Sequence, residues 1–165
     1  MSPEPGVEIE RKFVLDAPPA DLGQHPSDRI EQGYLAIAED GVEVRIRRRG
    51  DACTLTVKSG PAQVRVEEEI AIEADRFDAL WPLTAGRRLD KVRHYVPLED
   101  GLVVELDVYG GALDGLMTAE IEFPAEAAAL AFSPPPWLGE EVTGDPAYAN
   151  QNLAVRRPAP GRPPG

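Results

Sequence analysis

Between Val7 and Phe123 the chain alternates between apolar and charged residues with a period of two, segment after segment. That rhythm limits the possible folds more than any other feature. Residues i, i+2 and i+4 of a strand share one face, so the alternation implies strands with one apolar and one polar side. Strands are expected near 7–15, 31–38, 42–49, 53–59, 64–73, 91–97, 102–109 and 118–123. Turn signals separate several of them: Glu39-Asp40-Gly41, Gly50-Asp51, Ser59-Gly60-Pro61 and Glu99-Asp100-Gly101. Helices are fewer. Phe77, Leu80 and Trp81 recur at i, i+3 and i+4 after Asp75, and Pro124 to Phe132 is rich in alanine. Asp145-Pro146 reads as an N-cap with proline at N1, opening a terminal helix through Ala154. Leu15 to Ser27 reads as a loop with a short helix. The expected fold class is α+β, dominated by antiparallel strands.

The polar faces narrow the fold further. Glu8, Glu10 and Lys12 share one, and Glu43, Arg45 and Arg47 another. Thr54, Thr56 and Lys58 follow, then Arg65, Glu67 and Glu69, then Lys91 and Arg93, then Glu105 and Asp107, then Glu120 and Glu122. Any single strand of this kind is ordinarily a solvated face. The repetition, with charges largely segregated by sign, argues for something else. Like charges opposed on a flat sheet repel with nothing gained, whereas an eight-stranded closed barrel can turn them inward as a cationic and an anionic wall. A buried ion costs several kcal/mol even after relaxation, so such a lumen must be a wet tunnel, stabilised by a polyanionic guest and a metal. The apolar faces then point outward and need covering by the Phe77/Leu80/Trp81 helix and the terminal segments.

At 165 residues the chain fits one domain, expected over 1–157, with the Pro/Gly-rich stretch 158–165 as a disordered tail. With no apolar run of membrane-spanning length and no signal segment, a soluble cytoplasmic protein is expected, with no membrane partner. The net charge of −12 argues against nucleic acid as a partner. Cys53 is the only cysteine, which rules out an intrachain disulfide and a thiolate cluster and leaves it as a small hydrophobe. His25, in a Gly/Pro loop, reads as solvated. His94 alternates off the Lys91/Arg93 face and points outward. Monomer and homodimer both remain open.

A triphosphate suits the cations: arginine grips phosphate oxygens in bidentate fashion and lysine acts as a point charge. The candidates are Lys12, Arg45, Arg47, Lys58, Arg65, Lys91 and Arg93. Mg²⁺ or Mn²⁺ would take the hard oxygens of the pairs Glu8/Glu10 and Glu120/Glu122. Glu67, Glu69, Glu105 and Asp107 would complete the acidic lining. No glycine-rich phosphate loop is present, so side chains would do the binding.

The motif Glu8-Ile9-Glu10-Arg11-Lys12-Phe13 resembles the E-x-E-x-K signature of the CYTH domain, the triphosphate tunnel metalloenzymes. The likeness continues through Gln32-Gly33-Tyr34-Leu35, the strand of Arg45 and Arg47, Leu55-Thr56-Val57-Lys58 and the strand of Arg65, Glu67 and Glu69. It runs on through Lys91-x-Arg93-x-Tyr95, Glu105-x-Asp107 and Ala119-Glu120-Ile121-Glu122, and ends with Trp137 to Thr143, Tyr148 and Asn150. E-x-E-x-K alone is weak in a chain that is 28% charged, but the ordered set is specific. The resemblance implies an eight-stranded antiparallel tunnel that acts on triphosphates with Mg²⁺ or Mn²⁺. It is nearest to compact bacterial members that hydrolyse inorganic tripolyphosphate. Class IV adenylate cyclases and thiamine triphosphatases share the same tunnel residues and stand as alternatives, with a non-catalytic polyphosphate binder behind them. The resemblance also implies catalytic roles for Lys12 and Tyr34 acting as a pair. Where the family pattern has a basic residue beside Tyr148, this chain has Ala147, so the resemblance leaves open whether the terminal element closes the tunnel.

Overall fold

The computed structural model describes residues 7–59 and 64–155. The expected tail and the Gly60-Pro61 part of one turn lie outside the described residues. Nine strands form: β1 (Val7–Val14), β2 (Ser27–Ile37), β3 (Glu43–Arg49), β4 (Ala52–Ser59), β5 (Val64–Ile72), β6 (Arg88–Pro97), β7 (Val103–Tyr109), β8 (Met117–Glu122) and the short β9 (Glu140–Glu141). Three α-helices accompany them: α1 (Ala74–Leu80), α2 (Glu126–Ala131) and α3 (Asn150–Leu153).

The sheet runs β5-β4-β3-β2-β6-β7-β8-β1, and β5 pairs back onto β1 to close an eight-stranded antiparallel barrel. Closure removes the edges that an open sheet would leave unpaired. Among the described residues the seam between β1 and β5 spans Val7–Ile9 against Val64–Val66. Further along the same edge of β1, the C-terminal segment takes over. Phe13 and Val14 pair with Glu141 and Glu140 of β9, and Val142 N donates to Lys12 O at 2.8 Å. Backbone groups buried at a seam must find partners, and the segment after α2 supplies them here.

Apolar side chains cover the outside of the barrel rather than filling it. Ile9, Phe13, Val104, Leu106, Ala119 and Ile121 pack under Ala129, Phe132, Trp137 and Leu138. On the opposite flank Ile46, Cys53 and Leu55 pack under Phe77, Leu80 and Trp81, with the Phe77 and Trp81 rings stacked 5.1 Å apart. A third cluster of Tyr34, Tyr109, Leu113, Leu116, Val142, Tyr148 and Leu153 closes one end. Cover is incomplete over β4 and β5, where Val57, Val66 and Ile70 stay exposed.

Two expectations need correcting. β2 starts at Ser27 instead of near 31, because Ser27–Glu31 pair with Asp90–His94 of β6 although Asp28 and Arg29 break the apolar alternation. The terminal helix is interrupted. Asp145 caps a 3-10 turn over Pro146–Tyr148 by accepting from Ala147 N at 2.9 Å, but Ala149 is extended (φ −66°, ψ 133°) before α3 begins. The terminal element does close one end, and it does so with Val142, Tyr148 and Leu153, without a basic residue at 147.

Gly139 opens β9 at φ +78°, and a Cβ there would lie 2.3 Å from Val14 O. Backbone cannot yield as a side chain can, so Gly139→Ala should cost about 2–3 kcal/mol. That corresponds to a fall of roughly 4–12 °C in Tm, measurable by thermal unfolding.

Candidate active site

The barrel encloses a cavity of about 320 Å³ lined by the inward residues of its strands and by Thr143–Pro146 and Ala149–Gln151. Register sets the charge pattern. β4, β3 and β6 present Lys58, Arg45, Arg47, Lys91 and Arg93, with β2 between β3 and β6. β7, β8, β1 and β5 present Glu105, Asp107, Glu120, Glu122, Glu8, Glu10, Glu67 and Glu69. The two walls are therefore contiguous halves of one barrel. Lys12 and Arg65 are cations within the acidic half, and Glu43 is a carboxylate within the basic half.

Ion pairs stitch the halves together where they meet. Arg93 grips Asp107 through two nitrogens at 2.8 and 2.9 Å and reaches Glu105 at 2.5 Å. Lys91 Nζ lies 2.8 Å from Asp107 Oδ2, though off the hydrogen-bonding direction. Burial pulls Lys91 down to about 7 while Asp107 opposes that fall. Lys58 sits 3.1 Å from Glu8 and 3.5 Å from Glu67, Lys12 sits 3.3 Å from Glu120, and Arg65 sits 3.6 Å from Glu43. Thr56 donates to Glu69 at 2.9 Å.

Two cations stand outside this network. Arg45, only 5% exposed, has no ion pair or hydrogen bond from its guanidinium among the described residues, and its Nε is buried without a partner. Arg47 makes one contact, from Nε to Gln32 Oε1 at 2.9 Å. Burial, with Arg45 and Arg93 beside it, lowers Arg47 to about 9. Buried cations without counter-ions are costly, and an anion in the cavity would relieve that cost.

The acidic half holds the opposite imbalance. Glu8, Glu10 and Glu120 each offer a carboxylate oxygen, all within 4.8 Å of one another. Burial raises Glu10 well above the usual carboxylate range, and the charges of Glu120 and Glu8 raise it further. Burial opposes ionisation of Glu120 too, but Lys12 and the hydrogen bond from Glu10 hold it low. Glu10 is thus the carboxyl of the trio whose ionisation is most opposed. A hard divalent cation fits this oxygen set and would offset that crowding of negative charge. Glu122 lines the same cavity opposite Glu10 in register, outside the close trio. Glu67 is raised to about 7 by burial and by its hydrogen bond with Glu8.

Lys12 and Tyr34 do not meet in a hydrogen bond among the described residues. Lys12 Nζ donates to Tyr148 O at 2.5 Å. Tyr34 is fully buried in the end cluster, where its hydroxyl accepts from Gln32 Nε2 at 2.8 Å. Burial, then the charge of Glu43, pushes Tyr34 up to about 12. Sequence reasoning passed over Gln32 as a site residue; register sets it opposite Arg47, as Tyr34 is set opposite Arg45. It also passed over Thr143, Asn150 and Gln151, which reach the cavity from segments without strand periodicity. His25 pairs with Asp21 at 3.1 Å, and His94 lies off the cavity lining.

A closed barrel with facing walls of this composition has counterparts among known proteins. An inorganic triphosphatase from Nitrosomonas europaea is 46% identical over 153 residues, covering 92% of this chain and 99% of that protein. The chain belongs to the inorganic triphosphatase family. A second inorganic triphosphatase, from Acetivibrio thermocellus, is 36% identical over 156 residues, covering 93% and 96%. No protein-family model matches. The crystal structure of an inorganic triphosphatase with 46% identity superposes at a TM-score of 0.70, over 92% of this chain and 96% of that one. At 17% identity, a Hippeastrum protein described as an adenylyl cyclase with dominant triphosphatase activity shares the fold at a TM-score of 0.60, over 74% of this chain and 82% of its own.

In this triphosphatase-family barrel the two kinds of lumen cation should respond differently to removal. Arg45→Met deletes an unpartnered charge and should leave the ligand-free melting temperature unchanged or higher. Arg93→Met strips the cation from Asp107 and Glu105 and should cost about 3–5 kcal/mol. Thermal unfolding of both variants in buffer free of phosphate and metal checks the contrast.

Proposed function

We propose that the chain hydrolyses inorganic tripolyphosphate to pyrophosphate and phosphate inside the barrel, as a CYTH-type triphosphate tunnel metalloenzyme using Mg²⁺ or Mn²⁺. The observation that carries the reading is the pair of buried Arg45 and half-buried Arg47, both without carboxylate partners among the described residues, in the same cavity as the Glu8/Glu10/Glu120 trio. The names of the relatives support the substrate class.

Arg45 and Arg47 bind the phosphate chain, with Lys58, Arg65, Lys91 and Arg93 setting the positive field around it. Each of these four is already tied to a carboxylate, so they orient more than they grip. Held by Glu8, Glu10 and Glu120, with Glu122 beside them, a divalent ion would supply Lewis-acid neutralisation of phosphate charge and a more acidic water. Glu67, Glu105 and Asp107 hold the basic residues in place, and Glu69 takes a hydrogen bond from Thr56. The Lys12 ammonium, aimed into the lumen beside Glu120, stabilises charge that develops on the leaving pyrophosphate oxygen as the terminal phosphorus–oxygen bond breaks. Tyr34 acts at one remove: it takes a hydrogen bond from Gln32, whose carbonyl oxygen fixes Arg47.

Phosphate release should be followed with tripolyphosphate, ATP and thiamine triphosphate, with nucleotide products checked for cyclic AMP. Tripolyphosphate should give the highest kcat/KM, chelator should abolish turnover, and Mg²⁺ or Mn²⁺ should restore it. Cyclic AMP as the main product, or full activity in chelator with metal absent, would refute the assignment. Glu10→Gln should lower kcat by at least about 100-fold and erase the rise in Tm that Mn²⁺ gives the parent protein.

A further inference from the structure

We propose that Thr143 is a positioning residue for Lys12, an inference that rests on the site reading above. Among the described residues β5 pairs with β1 as far as Ile9 and takes no part at the backbone of Lys12. The segment after α2 does so instead. Thr143 Oγ1 accepts from Lys12 N at 2.9 Å and Val142 N donates to Lys12 O at 2.8 Å. A few residues on, Tyr148 O receives Lys12 Nζ at 2.5 Å. The same segment therefore sets both the backbone and the ammonium of Lys12.

The Thr143 hydroxyl is used in both directions. While accepting from Lys12, it donates to Glu141 Oε2 at 2.6 Å. Glu141 is held in turn by Arg11 at 2.9 and 2.5 Å, and Arg11 also binds Ala129 O and Phe132 O, each at 2.9 Å. At the far end of the segment, Tyr109 donates to Asn150 Oδ1 at 2.6 Å. Arg11 and Lys12 are sequence neighbours on opposite faces of β1, and Thr143 couples the outer clamp to the inner ammonium.

The test is a cycle of variants assayed on tripolyphosphate with Mg²⁺ or Mn²⁺. Thr143→Val keeps the shape and removes the hydroxyl. It should lower kcat about tenfold with KM nearly unchanged, since the Lys12 contribution is made in the transition state. Thr143→Ser should restore kcat. In a Lys12→Ala background, Thr143→Val should cause no further loss, the signature of two residues acting as one unit. Equal losses in both backgrounds would mean that Thr143 serves only the fold, and full activity in Thr143→Val would likewise overturn the proposal. If Lys12→Ala alone leaves turnover intact, the site reading itself fails and takes the proposal with it. Should Thr143→Val not stay folded, Glu141→Gln loosens the same hydroxyl from outside the lumen and carries the same expectations.

Discussion

Charge confined in a closed barrel is the constraint on which this structure depends. Inward positions that a small barrel would ordinarily fill with apolar side chains carry ions instead, so stability has to come from the outside. Two clusters of the apolar residues facing outward lie under α1, α2 and the turns that follow them. The inside is made tolerable by pairing wherever the acidic and basic halves meet, most completely at Arg93 with Asp107 and Glu105.

Pairing leaves a remainder on each side, and the two remainders are the candidate site. On the basic side Arg45 and Arg47 lack carboxylate partners among the described residues; on the acidic side Glu8, Glu10 and Glu120 crowd together, and burial and that crowding raise Glu10 well above the usual carboxylate range. A lumen that neutralised itself fully would be more stable and would bind nothing. Here the excess positive charge calls for a polyanion and the crowded oxygens for a hard cation, which together describe a metal-bound phosphate chain.

The seam at β1 concentrates several roles in one place. Barrel closure, the candidate metal-site carboxylates Glu8 and Glu10, and Lys12 all lie on a strand that β5 pairs with over three of the described residues. Completing that edge with a segment from the far end of the sequence makes the geometry of Lys12 depend on residues more than a hundred positions away. Binding residues on rigid strands, trimmed by an irregular segment, can hold a fixed frame while one end is adjusted.

Much of the barrel was legible because strand periodicity is local: alternation at Val42 to Arg47 or Leu102 to Tyr109 needs no partner to be read, and it placed Arg45, Arg47, Glu105 and Asp107 on one face. The charge on those faces also made a closed lumen the economical arrangement. β2 before Glu31, β9 and the break at Ala149 were not legible, since their backbone is set by distant partners and carries no period of its own. Which charges are neutralised and which stand free was decided by register across strands. Arg93 meets Asp107 and Tyr34 meets Arg45 only because of how β6, β7, β2 and β3 align. Tyr34 shows the limit most plainly. Its role was implied only by the family resemblance, and its burial at the closed end and its link to Gln32 in place of Lys12 came from tertiary packing, because a hydrogen bond depends on distances that one strand's pattern does not contain.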